Sequence, residues 1–163
     1  FSDSIDEFVA KTLLEYDGKK FKSVSDKDSI AETEEEKAAS EKTREQYKAL
    51  TEAVKASLKD KVADVRLSNK MKSHAVCLSA EGEISFEMER VFAAMKNGAD
   101  VRAKRVLELN PEHALFQKLA AAKDTDKFDK LCGVLLDEAL LMEGFTPEDP
   151  AGFADAINTL LAE

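Results

Sequence analysis

Residues 128–161 read FDKLCGVLLDEALLMEGFTPEDPAGFADAINTLL. From Phe128 to Met142 apolar side chains fall on nearly every side of a helical wheel, until Gly144 stops the run. Such a helix must be covered all round. Thr146-Pro147-Glu148-Asp149-Pro150 is a cap and turn that opens a second helix, with Phe153, Ala154, Ile157, Leu160 and Leu161 as its stripe. Two helices packed together hide one stripe on each, so this pair needs more cover than it can give itself. Burying each of Leu135, Leu140, Leu141, Ile157, Leu160 and Leu161 is worth roughly 1.5–3 kcal/mol before ordering entropy is charged against it. Either the rest of the chain covers the pair, or a second copy does so through a two-fold, four-helix interface.

Upstream, Val101, Ala103, Leu107 and Leu109 share one face of a strand, which Asn110-Pro111 ends by capping and opening a helix with Leu115, Phe116 and Leu119. The acids from Asp124 to Asp126 supply the N-terminus of the next helix. Two further strands are predicted, one where Val65 and Leu67 alternate with polar neighbours and one at Ala75-Val76-Cys77-Leu78. Thr33 and Glu36 have capping-box spacing, and Tyr47, Leu50, Val54 and Leu58 follow at helical intervals, which predicts a long amphipathic helix over about 34 to 61. Its first turns are so charged and alanine-rich that they project into solvent. A short helix is predicted over about 5 to 16, from Ser4 and Glu7 through Ile5, Phe8, Val9, Leu13 and Tyr16 to Gly18, then a weak strand from Phe21 to Val24. The Ser-, Asp- and Glu-rich stretch from Ser25 to Glu36 reads as a linker and marks the domain boundary.

At 163 residues the chain is long enough for one compact domain, or one domain and a fragment of another. With 44% apolar and 35% charged residues it is predicted to be globular, and no apolar run reaches the roughly 18 residues of a membrane span. Phe1-Ser2-Asp3-Ser4-Ile5-Asp6 has neither a basic flank nor an apolar core, so no secretory signal is expected and a cytoplasmic location is the default. Twenty-four basic against 33 acidic residues leave a charge of −9, which repels a phosphate backbone and makes nucleic acid an unfavourable partner. Cys77 and Cys132 stand far apart, as do His74 and His113, which predicts neither a disulfide framework nor a zinc site. No glycine-rich phosphate loop, HExxH, GxSxG or compact acid/base cluster is present, and no catalytic, cofactor or metal residue is assigned.

Ile84, Met88, Val91, Phe92 and Met95 fall at i, i+4, i+7, i+8 and i+11, on one face of a helix bounded by Glu81-Gly82-Glu83 and Asn97-Gly98. Such a stripe is either ordinary core or an adaptable surface for other polypeptides, since unbranched thioethers conform to many shapes. Pattern leaves both open. His74, at a strand edge, and His113, in a first helical turn, are assigned structural roles; Cys77 and Cys132 are predicted to be inert. Arg102, Lys104 and Arg105 read as solvated charge that discourages edge-to-edge strand pairing.

Several segments are more informative as wording than as periodicity: EYDGKKFKSV at 15 to 24, VADVRLSNKM at 62 to 71, MERVFAAM at 88 to 95, VLELNPEHAL at 106 to 115, and LLDEALLMEGFTPEDPAGFADAINTLL at 135 to 161. In this order and at these separations they resemble the C-terminal part of the ninety-kilodalton heat-shock chaperones, in their bacterial form. With their framing elements they cover nearly the whole chain. The resemblance implies an α+β fold: a small three-stranded sheet packed with helices, ending in a helix pair that forms an intermolecular four-helix bundle. Residues 1–30 would be the tail of the middle domain with the acidic linker, and 31–163 the C-terminal dimerisation domain.

The implied function is to hold together a homodimeric, ATP-driven clamp that binds and remodels unfolded or partly folded client proteins. Client contacts carried over by motif position are Ile84, Met88, Val91 and Phe92; at the first of these the family often has Trp or Met, so Ile84 gives a smaller contact. The dimer interface would take Leu131, Val134, Leu135, Glu138, Leu141 and Met142 from the first helix of the pair, and Phe153, Ile157, Leu160 and Leu161 from the second. The nucleotide-binding domain of the family has no counterpart here, so ATP and magnesium are expected for the full-length protein and no cofactor or enzymatic activity for this fragment. Expected partners are a second copy and unfolded clients, with the Hsp70-type chaperone system admitted as a further one, and neither nucleic acid nor membrane. The chain ends at Leu161-Ala162-Glu163 without the acidic MEEVD-type tail of cytosolic eukaryotic members, so a bacterial source without tetratricopeptide co-chaperones is expected. The alternative from a different class is a monomeric regulatory or adaptor module in which both apolar stripes are core.

Overall fold

The structure, a computed structural model, describes residues 9, 12, 13, 15–20, 34–69, 71–95 and 101–162, the stretch 34–37 by its backbone alone. The capping box at Ser4 and Glu7, the strand at Phe21 to Val24, most of the acidic linker and the boundary at residue 30 lie outside the described residues. Val9, Thr12 and Leu13 are helical. Glu15 and Tyr16, expected in the same helix, instead form a strand, β1 (Glu15–Tyr16), antiparallel to β2 (Lys19–Lys20). The cause is the tight turn at Asp17-Gly18, where both residues have positive φ, 51° and 70°. That is the geometry of a two-residue hairpin whose twist matches its strands, and Gly18 supplies it without strain.

Helix α1 (Glu34–Leu58) buries Leu50, Val54 and Leu58 along the predicted stripe. Arg44, Glu45 and Gln46 in its earlier half are exposed, but Ser40 is buried and accepts a 2.6 Å hydrogen bond from Asn69. The helix gives way to a 3₁₀ turn (Lys59–Lys61), where Lys59 takes a φ of 51°.

The main sheet has the order β3-β5-β4, with β3 (Asp64–Leu67) parallel and β4 (Val76–Glu81) antiparallel to the central β5 (Lys104–Leu109). Val65 and Leu78 both pair in register with Leu107. Val106, Leu107 and Leu109 are all buried, so β5 has lost the apolar-polar alternation of a strand with one wet face. Arg102 and Lys104 are solvated as expected, but the edge position and the reading of Arg105 are overturned. β5 is paired on both sides, and Arg105 is committed to an ion pair described below.

Helix α2 (Phe86–Ala94) follows β4, and helix α3 (Ala114–Ala122) follows β5. The cap of α3 is His113, whose Nδ1 accepts from Leu115 N–H at 3.2 Å, rather than Asn110. Asn110 is spent earlier: buried, it donates to the Met71 and His74 carbonyls and accepts from Glu112 N–H, clasping two loops. Phe116 and Leu119 are buried, and the Phe116 ring meets Tyr47 of α1 edge-on at 4.9 Å. Helix α4 (Phe128–Met142) packs closely on β4, α1 and α3. Gly144, at φ 79°, ends it, donating to Leu141 while Phe145 donates to Leu140. Helix α5 (Pro150–Leu161) starts on Asp149, whose carboxylate accepts from Gly152 N–H at 2.9 Å. A Cβ at position 152 would meet that carboxylate, which would have to shift.

The fold is therefore α+β, with one core cluster running from Leu50 through the sheet to Leu140.

Candidate protein-binding surfaces

Among the described residues two surfaces carry apolar side chains that are exposed or only half-buried. The first is on α4 and α5. The core-facing side of α4 is Phe128, Cys132, Leu135, Leu136, Ala139 and Leu140, at helical spacing. Its other side offers Val134 and Glu138, half-buried, and Leu141 and Met142, exposed, while Leu131, half-buried at the margin, packs against the core. Leu135, proposed for the interface from the sequence, is only 4% exposed and belongs to the chain's own core, so it has no area left for a partner. Helix α5 has no buried residue at all. Phe153, Ile157 and Leu160 are half-buried, α4 being the described element on which α5 packs most closely, and Leu161 is 80% exposed.

The second surface is α2. Ser85 caps it, its hydroxyl accepting from Met88 N–H at 3.1 Å. Phe86 and Glu89, one turn apart, are the buried residues of the helix. The predicted stripe is displaced from that inner side: Met88, Val91 and Phe92 are half-buried and Met95 is exposed, while Ile84, ahead of the helix, packs against the core. The stripe is thus not the side by which α2 is held, and of the four client-contact candidates Ile84 serves the core as well.

Phe86 in the core and a set of polar contacts together hold α2. Glu89 Oε1 accepts from Arg105 at 2.6 Å and Oε2 accepts from the Ala103 N–H at 2.8 Å. Arg90 donates to Glu87 and to the Glu143 carbonyl, the latter at 2.7 Å. Sequence reasoning missed Glu89, Arg90, Arg105 and Phe145. The available signal was Glu89, a carboxylate one helical turn from Phe86 that must be paired if that side is buried.

The remaining candidates are structural. Burial pushes the Cys77 thiol up to about 11, reinforced by Glu108 and Glu143; burial also takes Cys132 to about 11 against a hydrogen bond from Ser57. Both are thiols rather than thiolates at neutral pH. His113 is a cap and His74 is exposed. A groove of about 1270 Å³ runs between the end of α1, residues 101–105 and the α4–α5 turn, with Lys61 and Arg102 on either side of Glu148 at 3.6 and 3.9 Å. Among the described residues no group of three or more His, Cys, Asp or Glu is placed to hold a metal ion. No helix among them is long and apolar enough to cross a membrane.

The family model described as Hsp90 protein matches residues 1–163. The chain is 43% identical over 159 residues to the chaperone protein HtpG of Bacillus subtilis, covering 96% of this chain and 25% of that protein. It is 44% identical over 163 residues to the chaperone protein HtpG of Clostridium acetobutylicum, covering 99% and 26%, and 41% identical over 162 residues to that of Fusobacterium nucleatum, covering 98% and 27%. The chain spans about a quarter of the length of these relatives.

Proposed function

Because the chain belongs to the Hsp90 family, we propose that it is the dimerisation segment of a bacterial heat-shock chaperone, pairing with a second copy through α4 and α5 and offering α2 to unfolded polypeptides. The observation that carries this is the last helix. Twelve residues with an apolar stripe at helical spacing, none of them buried, are an unfinished interface. A second copy related by a two-fold axis brings an identical stripe, and four helices then cover what two cannot. Leu131, Val134, Glu138, Leu141 and Met142 of α4 and Phe153, Ile157, Leu160 and Leu161 of α5 would line that bundle.

In this proposal the segment is not itself an enzyme. The chain spans about a quarter of the length of its relatives, and nucleotide chemistry is assigned to the part of the whole protein outside this span. Residues 1–30 are assigned to the end of the preceding domain and 31–163 to the dimerisation domain. What the segment supplies is proximity. Joining two arms makes their encounter intramolecular, at an effective concentration set by the geometry of the joint. Met88, Val91 and Phe92, with Ile84 as a minor contributor, would take apolar segments of a client, and the Hsp70-type system would act on the same clients. The setting is cytoplasmic.

Sedimentation equilibrium of the 163-residue chain at micromolar concentration tests the proposal. A species of twice the 18.0 kDa monomer mass is expected. A folded monomer overturns it in favour of an adaptor module that acts alone.

A further inference from the structure

We propose that Arg90 and Phe145 are positioning residues that tie the tilt of α2 to the turn between α4 and α5, so that a polypeptide bound on α2 changes self-association at α5. This rests on the two surface assignments made above.

The geometry has a pivot and a grip. The pivot is Glu89, whose carboxylate is fixed from both sides by Arg105 at 2.6 Å and the Ala103 N–H at 2.8 Å, away from solvent. The grip is the next residue. Arg90 Nη1 donates to the Glu143 carbonyl at 2.7 Å, at the C-terminal cap of α4, while Nε and Nη2 are steadied by Glu87 at 3.1 and 2.8 Å. Two residues further on, the Phe145 ring lies 5.5 Å from the Arg90 guanidinium and 5.0 Å from that of Arg105, and it meets Phe86 edge-on at 5.6 Å. A single ring in the α4–α5 turn is thus held by a cation from α2, a cation from β5 and the inner aromatic of α2.

Other ties on that turn are weaker. Glu148 faces Lys61 and Arg102 at 3.6 and 3.9 Å, with all three side chains well exposed. Phe86 and Glu89 hold the inner side of α2, and a change of tilt about them moves Arg90 relative to Glu143 and Phe145. A polypeptide laid over Met88, Val91 and Phe92 favours one tilt as far as it binds that tilt better. The shifted turn then presents α5 differently to its twin. Linkage makes the effect mutual, so dimerisation changes polypeptide affinity by the same factor.

The test is the dimer dissociation constant of the 163-residue chain, with and without saturating reduced, carboxymethylated α-lactalbumin as the unfolded polypeptide. The probe is expected to move the constant by at least about 5-fold in the native chain. Arg90→Ala and Phe145→Leu should still dimerise and bind the probe, with the shift reduced to under about two-fold. Arg90 is exposed, so its variant keeps the test open should Phe145→Leu fail to fold. Dimer and probe binding both present without a shift overturn the coupling alone, as does a shift that persists in both variants. A chain that does not dimerise, or does not bind the probe, overturns the surface assignments and the coupling with them.

Discussion

Glu89 of α2 and Arg105 of β5 form a 2.6 Å ion pair whose side chains are only 11% and 15% exposed. The pair fixes the place of α2 on β5 rather than adding net stability, because desolvating both charges offsets most of their attraction. Breaking it is another matter. Glu89→Ala leaves the guanidinium buried without its carboxylate and removes the acceptor of the Ala103 N–H, and the expected loss is about 3 kcal/mol. Urea unfolding followed by circular dichroism measures it; a loss below about 1 kcal/mol would show that water replaces the carboxylate freely.

The two sides of α2 make opposite demands. Phe86 is buried against Phe145 and the core, so Phe86→Ala should cost about 3 kcal/mol or more. Met88→Ala combined with Phe92→Ala removes side chains that are only half-covered and should cost about 1 kcal/mol each at most, while unfolded-polypeptide binding falls at least about tenfold. Thermal unfolding and a probe-binding titration on the same preparations check this. Collapse of the fold in the double variant would mean that the stripe is core after all.

Much of this architecture was legible because it is written locally. Tyr47, Leu50, Val54 and Leu58 announce α1 by spacing alone, and Asp149-Pro150 and Gly144 punctuate the last two helices with residues whose backbone preferences admit little else. What could not be read is what depends on partners distant in the chain. Strand order made Arg105 the ligand of Glu89 instead of edge charge, and nothing near residue 105 announces that β5 is central. Asn110-Pro111 looks like a cap, yet Asn110 is occupied by the Met71 and His74 carbonyls, which leaves His113 to cap α3. Leu135 matched the interface pattern because a helix apolar all round does not say which side faces its own core.

Two carboxylates should respond to pH with opposite sign. Burial raises Asp64, but hydrogen bonds from Lys55 and Arg66 outweigh it and hold the acid below its ordinary 3.8. The folded state therefore releases that proton more readily, and the stability is present above 3.8 and lost as pH falls through the lower folded value. Asp64→Asn should cost up to about 1 kcal/mol at pH 7 and nothing in strong acid, since the pairs are partly exposed. Asp137 is raised, first by burial and then by Glu148 and Asp149, against the pull of Lys61. Its contribution is present below 3.8 and lost as pH rises through the higher folded value, so Asp137→Asn should stabilise slightly at pH 7 and not in acid. Urea midpoints from about pH 2 to 7 separate the two; parallel profiles would contradict the assigned environments.

The interface itself is tested by charge. Leu160 is half-buried on the stripe that α5 presents beside α4, and Leu141 is exposed at the end of α4. In a lone chain neither site is dry, so a carboxylate at either one remains hydrated and Leu141→Glu should cost about 0.5 kcal/mol or less. In a two-fold bundle each substitution appears twice, and the carboxylates must be stripped of water without a partner cation. The dimer constant should then weaken by at least about a hundredfold, roughly 2.8 kcal/mol, while helix content and monomer unfolding change little. Sedimentation equilibrium across a thousandfold concentration range reads this directly. If both variants keep the native assembly size, the α4–α5 surface is covered by something other than a twin. If both fall apart with their helices intact, the apolar area left open on α5 is what the second copy covers.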